Sequence, residues 1–210
     1  MKILIVGSTG GTGRELVKQA LELGHDVTAF ARNPAKLNIQ HERLRIAQGD
    51  VLDSASVDRA VQGQDAVLSA LGHKRWVIKT TILSEGTKNV IAAMSKHGVR
   101  RIVCETTLGI SDRRGRMGLY YTLFVVPVLL YFYFRDKELQ ERLIKESPLD
   151  WVIVRPGALT NGRRRGVYRH GLDLGNWFTT VRVSRPDTAD FMLKQLTGTT
   201  YLRKTPAIAY

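Results

Sequence analysis

A glycine-rich turn, Gly7-Ser8-Thr9-Gly10-Gly11-Thr12-Gly13, follows the apolar run Ile3-Leu4-Ile5-Val6 and leads into a stretch with helical spacing. Gly-x-x-Gly-x-x-Gly between a strand and a helix is the arrangement that receives a dinucleotide. Gly7 permits the tight turn, Gly10 lets the backbone approach a pyrophosphate, and Gly13 lets helix and strand pack closely. The helix amino terminus offers unpaired N–H groups and a partial positive charge to the phosphates. Nineteen residues beyond Gly13 stands Arg32, where an NAD-preferring site would carry an acid for the ribose 2′-hydroxyl. A guanidinium there suits a 2′-phosphate, with Lys36 and Arg14 as helpers. The sequence therefore points to NADP; the plainer alternative is an exposed arginine at a strand end.

Two further segments lie where a bound dinucleotide would pass. In Gly49-Asp50-Val51 the carboxylate can accept from an adenine amino group while Val51 flanks the ring, or Asp50 only begins a turn. In Ala70-Leu71-Gly72 the small residues let the backbone lie beside a cofactor. His73 and Lys74 come next, and a histidine at such a point is more often an exposed loop residue than an acid or base. Cys104 falls within a strand and reads as a small buried hydrophobe.

The elements that must position these residues alternate. Apolar runs rich in Val and Ile occur at 2–6, 26–30, 44–47, 66–70, 101–105 and 151–155. Between them lie helical patterns. Leu16, Val17, Ala20 and Leu21 form one face, closed by Gly24. Asp53 caps a short helix carrying Val57, Ala60 and Val61, which ends at Gly63. Ser84 opens a third, with Val90, Ile91 and Met94 on one side and Gly98 at its end. A fourth over 136–146 is expected to turn Leu139, Leu143 and Ile144 inward. It also carries Glu138–Arg142 and Glu141–Lys145 at four-residue spacing. Continuous apolar strands separated by helices predict an α/β protein: a Rossmann-type doubly wound parallel sheet, one domain over 1–210. Residues from about 158 to 205 look less regular and suit a small C-terminal substrate lobe.

Composition sets the bounds. The chain has 210 residues, 43% hydrophobic and 24% charged, which is globular rather than disordered or fibrous. A single cysteine excludes an internal disulfide and a cysteine-based zinc site, and no metal is expected. The net charge of +13 favours anionic partners, whether phosphorylated cofactors, nucleic acid or acidic membrane. Basic clusters stand at Arg113-Arg114-Gly115-Arg116 and Arg163-Arg164-Arg165. They read first as solvated loops, and without aromatic interleaving or helix-turn-helix spacing direct nucleic-acid binding is disfavoured. The apolar start is too short for a signal-peptide core, so a cytoplasmic location is expected.

One segment stands apart. Residues 117–134, MGLYYTLFVVPVLLYFYF, are eighteen in a row without charge, flanked by Arg116 and Arg135. Eighteen is the lower edge for a membrane span. A single span would nevertheless part the strands at 101–105 and 151–155, which are expected to share one sheet. A buried or interfacial segment is the reading that survives, with membrane-surface contact or a homodimer face among its uses.

The glycine motif, Arg32, Gly49-Asp50-Val51, Ala70-Leu71-Gly72 and Asp150-Trp151-Val152-Ile153-Val154-Arg155-Pro156-Gly157 occur in that order. Together with Ser184-Arg185-Pro186-Asp187-Thr188-Ala189-Asp190-Phe191 they resemble the NmrA-like group of atypical short-chain dehydrogenases/reductases. That group includes flavin reductase and biliverdin reductase B-like proteins. The resemblance covers essentially the whole chain, and it is specific for fold and cofactor but not for substrate. It implies an NADP-binding Rossmann domain with nicotinamide near the ends of the fourth, fifth and sixth strands. Thr106 and Thr107 would fall in the slot of the proton-handling Ser or Thr, and Pro156-Gly157 would line the nicotinamide pocket. Active members complete the set with tyrosine and lysine at i and i+4, a spacing that Tyr133-x-x-x-Lys137 has. On a helix these share a face, so Lys137 could lower the phenol pKa and hold the ribose. The match can also be accidental, with Lys137 a plain surface lysine.

The expected activity is NADPH-dependent hydride transfer to a flat apolar acceptor such as a flavin or quinone. The aromatics of 117–134, with Trp76, Trp177 and Phe178, could cover such a ring system, or serve only as core and dimer surface. Two alternatives come from other classes: a non-catalytic NADP-binding redox sensor acting through a protein partner, and a peripheral membrane-associated NADP-binding protein.

Overall fold

The computed structural model describes residues 1–73, 77–113 and 115–210. Lys74, Trp76 and Arg114, named above, lie outside the described residues. An eight-stranded sheet forms the centre. Its first six strands are β1 (Lys2–Val6), β2 (Asp26–Ala31), β3 (Leu44–Gln48), β4 (Ala66–Ser69), β5 (Arg101–Glu105) and β6 (Asp150–Pro156). They run parallel in the order β3-β2-β1-β4-β5-β6. This is the Rossmann-type doubly wound order expected from the alternation of apolar runs and helices. The chain winds outward from β1 to β3 and returns to β4, so the loops after β1 and β4 leave the sheet in opposite directions. A crevice opens between them at the carboxyl ends of the strands.

Side chains alternate across each strand and build a core on either face. Ile3 and Ile5 pack with Leu16, Val17 and Ala20 of α1 (Gly11–Glu22). Phe191 and Met192 of α5 (Arg185–Lys194) join the same cluster. Leu4 and Val6 face the other way, toward Val57 of α2 (Ser54–Val61), Met94 of α3 (Ile82–Lys96) and Ile144 of α4 (Tyr131–Glu146). The predicted stops hold: Gly24, Gly63 and Gly98 follow α1, α2 and α3 with φ between +70° and +76°. Asp53 caps α2 by accepting from the Ala55 N–H.

Three expectations need correction. The third helix starts at Ile82 rather than at Ser84, because a carboxylate distant in sequence caps it: Asp136 accepts from the N–H groups of Leu83 and Ser84, both at 3.0 Å. Leu139 is exposed, whereas Lys137, Gln140, Glu141 and Ile144 turn inward. The buried face of α4 is thus largely polar, which apolar periodicity cannot detect. Of the buried and interfacial readings of the uncharged segment, burial holds only at its ends, at Met117 and Phe134. The segment forms a π-type helix, Tyr121–Leu130, that runs into α4 and leaves Leu123, Phe124 and Val128 exposed. Among the described residues no helix is long and apolar enough to cross a membrane.

Beyond β6 the chain divides. β7 (Ala158–Thr160) and β9 (Arg182–Ser184) pair with each other. β8 (Arg169–Gly171) and β10 (Ala207–Ala209) extend the main sheet, β10 parallel to β6 and β8 antiparallel at the edge.

Cys104 is fully buried, and burial pushes its thiol up to about 11. In the native protein at pH 8 it should resist a disulfide reagent and should react when denaturant unfolds the chain. Rapid labelling without denaturant would show that the β5 core opens on its own.

Candidate cofactor and active site

The crevice beside β1 is shaped by missing side chains. Gly7 takes φ +80°, and a Cβ there would stand 2.5 Å from the carbonyl oxygen of Ala70. A Cβ on Gly13 would meet the Gly7 carbonyl at 2.1 Å. The turn therefore presses against both β4 and its own helix, as the sequence spacing predicts. Gly10 is the N-cap of α1 with no side-chain partner, which leaves the first N–H groups of the helix facing the crevice. A glycine cradle at a helix amino terminus fits a pyrophosphate. Thr9 and Gly11 lie on this turn, and Thr12 is buried beneath it.

Arg32 stands just past β2, exposed, with Nη1 3.9 Å from Asp50 Oδ2. The other oxygen of Asp50 accepts from the Leu52 N–H at 3.0 Å, so Asp50 shapes its turn and also faces Arg32. Val51 is buried against Gly86 of α3. Arg14 donates to the Lys36 carbonyl at 2.7 Å, drawing the 34–36 loop toward the start of α1. Three cationic groups thus border the crevice on its β2 side.

At the ends of β4 and β5 the site is built by α4. The Lys137 ammonium is buried and donates to the carbonyls of Glu105 (2.9 Å) and Leu71 (3.2 Å). Burial alone would lower its pKa, but Tyr133, Cys104, Glu105 and Glu141 around it shift the balance upward and keep it charged. Tyr133 lies one turn earlier, its ring centroid 5.8 Å from that ammonium. Its ring meets His73 edge-on at 5.0 Å, and its hydroxyl would stand 3.6 Å from a Cβ on Gly72. His73 in turn shares a hydrogen bond with Thr80 at 3.0 Å. The structure therefore brings together Ala70-Leu71-Gly72, His73, Tyr133 and Lys137.

The two threonines separate. Thr106 is buried and donates to Glu141 Oε1 at 2.7 Å. Thr107 is half-buried and its hydroxyl reaches the Leu108 carbonyl, at 3.2 Å, and the Met117 sulfur. Pro156 lies at the end of β6. Gly157 follows it and abuts the Val181 carbonyl, which would stand 2.5 Å from a Cβ there. A separate cavity of about 330 Å³ opens among Met117, Thr122, Val126, Pro127 and Phe134, with Arg135 and Glu138 at its edge; Tyr133 is not among its lining residues.

Sequence reasoning missed the groups that hold this arrangement. Arg155, fully buried, donates to both oxygens of Glu141 at 2.8 and 2.5 Å and to Asp112 at 2.8 Å. Glu105, also buried, accepts from the Thr12 hydroxyl at 3.1 Å under the glycine turn. The available signal was charge inside an otherwise apolar strand pattern. The basic cluster at 163–165 is largely structural: Arg164 pairs with Asp190, and Arg165 lies over the Tyr210 ring at 4.1 Å. Asp187 accepts the N–H groups of Arg165 and Gly166. Among the described residues no group of metal-ligating side chains converges.

A family model described as NAD(P)H-binding matches residues 7–199. The chain belongs to the NAD(P)H-binding family. Its fold and motifs agree with an atypical short-chain dehydrogenase/reductase of the NmrA-like kind. The Synechocystis photosystem II assembly factor Ycf39 is 33% identical over 77% of this chain and 46% of its own length. A Streptomyces griseus (4-alkanoyl-5-oxo-2,5-dihydrofuran-3-yl)methyl phosphate reductase is 27% identical over 73% of this chain and 46% of its own. The chain spans about half the length of these curated relatives. Among solved structures, ChuY, an anaerobillin reductase from Escherichia coli O157:H7, superposes with a TM-score of 0.81 at 21% identity, covering 100% of this chain and 97% of that one. A Veillonella parvula short-chain dehydrogenase/reductase in complex with NADP gives 0.81 at 17%, covering 100% and 94%. At these identities the structural likeness speaks for the fold.

Two predictions follow from the buried charges. Removing one partner of the Arg155–Glu141 pair strands the other in the core, so Glu141→Ala should cost about 3–5 kcal/mol in denaturant unfolding. A loss below about 1 kcal/mol would show that the pair is solvated. Burial raises the Glu105 carboxyl above its ordinary value of 4.5, outweighing Lys137 and Thr12, which favour the charged form. The folded protein then holds a proton that the unfolded chain releases, so stability falls as pH rises from 4.5 through the raised value. Glu105→Gln should therefore gain stability relative to the unmodified protein between pH 4 and pH 7. A difference that is flat with pH would contradict this.

Proposed function

We propose that the chain is an NADPH-dependent reductase acting on a flat apolar acceptor such as a flavin or quinone. The observation that carries the proposal is the placement of the Tyr133–Lys137 pair. Lys137 grips the carbonyls at the ends of β4 and β5, so Tyr133 stands at Gly72 and His73, beside the crevice formed by the glycine turn. A reduced nicotinamide held there supplies hydride. The chain's own residues do the rest. Gly7 to Gly13 and the amino terminus of α1 receive the phosphates, and Arg32, with Lys36 and Arg14, takes the 2′-phosphate. Asp50 and Val51 border the adenine end; Ala70, Leu71, Gly72, His73, Thr106 and Pro156-Gly157 border the nicotinamide end. Lys137 fixes the register of α4 and faces the ribose. Thr107 and Tyr133 present the two hydroxyls near the acceptor.

The largely apolar cavity lined by Met117, Val126 and Phe134, the residue next to Tyr133 in the chain, favours an aromatic acceptor over a small polar one. Such an acceptor needs hydride at close range and can take its proton from water. Reductase names among the curated relatives support an oxidoreductase. A second reading, a non-catalytic NADP-binding regulator that works through a protein partner, is favoured by the similarity to a protein named as an assembly factor.

NADPH oxidation measured against FMN, riboflavin and soluble quinones separates the two. Turnover with any acceptor is the expected result; none, with NADPH binding verified in the same sample, favours the regulator. Arg32→Glu should weaken NADPH binding about 10- to 100-fold, the range of a lost charge-assisted hydrogen bond, while NADH binding changes little. Equal loss of both would overturn the NADP assignment. With flavin or quinone, Tyr133→Phe should lower kcat less than about tenfold; a drop of about 10²–10⁴-fold would make Tyr133 the obligatory proton donor.

A further inference from the structure

The helix Tyr121–Leu130 is apolar on every side, yet none of its described residues is fully buried. Thr122, Val125, Val126 and Leu130 are half-buried on the inner side; Leu123, Phe124, Val128 and Leu129 face outward, Val128 at 71% exposure. A helix with a core side and a water side normally puts polar residues on the latter. Among the described residues its outer face has none, which leaves an exposed apolar patch of the kind that marks an interaction surface.

Neighbouring loops enlarge the same surface. The loop at 176–180 is tied to the start of this helical segment, with Thr180 donating to the Met117 carbonyl at 3.0 Å and Gly118 donating to Asn176. It carries Phe178 at 85% exposure. Val77 and Ile78, also exposed, sit in the loop between His73 and Thr80, which share a hydrogen bond beside Tyr133. The 73–80 loop follows β4, the helix lies in the connection that follows β5, and the 176–180 loop, between β8 and β9, joins them through Met117 and Gly118, so the apolar surface borders the mouth of the candidate site.

Charge decides what covers it. From Met117 to Phe134 there is no carboxylate; at the margins stand Lys79, Arg135 with Glu138 near it, and Arg116 paired with Asp173 at 3.0 Å, and the whole chain carries +13. An uncharged aromatic and aliphatic face on a strongly basic chain fits a bilayer surface of anionic lipid, where apolar groups enter the acyl boundary and cations meet headgroups. Ten residues, about 15 Å of helix, are enough to lie in that boundary and too few to cross it. We propose that the chain docks on anionic membrane surfaces through Leu123, Phe124, Val128 and Phe178, with the mouth of the site turned toward the lipid.

The test uses the full chain without cofactor, so its result does not depend on the reductase reading. Sedimentation with phosphatidylglycerol–phosphatidylcholine vesicles should capture the protein at low salt, at least tenfold more than phosphatidylcholine alone. The double substitution Phe124→Asp, Val128→Asp should abolish capture while NADPH binding is retained, which also reports folding. Three results would overturn the proposal. The first is no capture by anionic vesicles. The second is capture unchanged by the double substitution, which would be plain charge attraction. The third is a concentration-dependent dimer, seen by analytical ultracentrifugation, that the same substitutions dissociate while vesicles fail to bind.

Discussion

The candidate site hangs on a buried ion pair at the end of β6. Arg155 and Glu141 are both shielded from water, and such a pair is tolerable only if nearly every donor and acceptor is used. Here they are: Glu141 receives the Arg155 guanidinium through two bonds and the Thr106 hydroxyl through a third, with the Lys145 ammonium 3.4 Å away. The remaining Arg155 nitrogen holds Asp112 in the loop after β5. This network fixes the rotation of α4 about its axis. One turn toward the amino terminus, Lys137 then falls on the ends of β4 and β5; a further turn brings Tyr133 to Gly72. Asp136, on the same stretch, meets the start of α3. One desolvated pair thereby sets the positions of Tyr133, a buried ammonium and a helix cap.

That constraint explains which parts were legible in the sequence. The six parallel strands, the glycine turn, the caps at Gly24 and Asp53 and the cationic border at Arg32 follow local rules that single residues announce. The inner face of α4 does not. Its buried positions hold Lys137, Gln140 and Glu141, so hydrophobic periodicity pointed to Leu139, which faces solvent. The failure is physical: burial in a helix is ordinarily driven by apolar area, but these groups are inside because each finds a partner there. Helix 121–130 fails in the opposite sense, being apolar and exposed. The two errors adjoin along the chain, at the site and at its proposed docking face, where local consistency gives way to function.

The carboxyl-terminal segment shows a related effect. Its less regular spacing suited a small substrate lobe within the one domain; α5 packs on α1 and β10 pairs with β6. Ser184 and Asp187 cap one another at the start of α5, and Asp187 also gathers Tyr210 and the turn at Arg165. Asp187 is thus used within the fold, and Asp190 pairs with Arg164 and Lys194.

The same cap determines what lies over the glycine turn. Arg185, the first residue of α5, extends across Gly11, where a Cβ would meet its side chain at 2.4 Å. Its guanidinium is held at 2.6 Å by Asn161, which follows β7. Gly11 is therefore small for a reason different from Gly7 and Gly13: it leaves room for an arginine rather than for a backbone. That arginine links the turn expected to receive phosphates to the loop that begins at Pro156-Gly157, beside the expected nicotinamide. Glu105, buried beneath and accepting from Thr12, is attracted electrostatically to the same guanidinium. A negative charge arriving at the turn would compete with Asn161 and Glu105 for Arg185. An anion at the turn would thereby act, through that arginine, on the loop that holds Asn161.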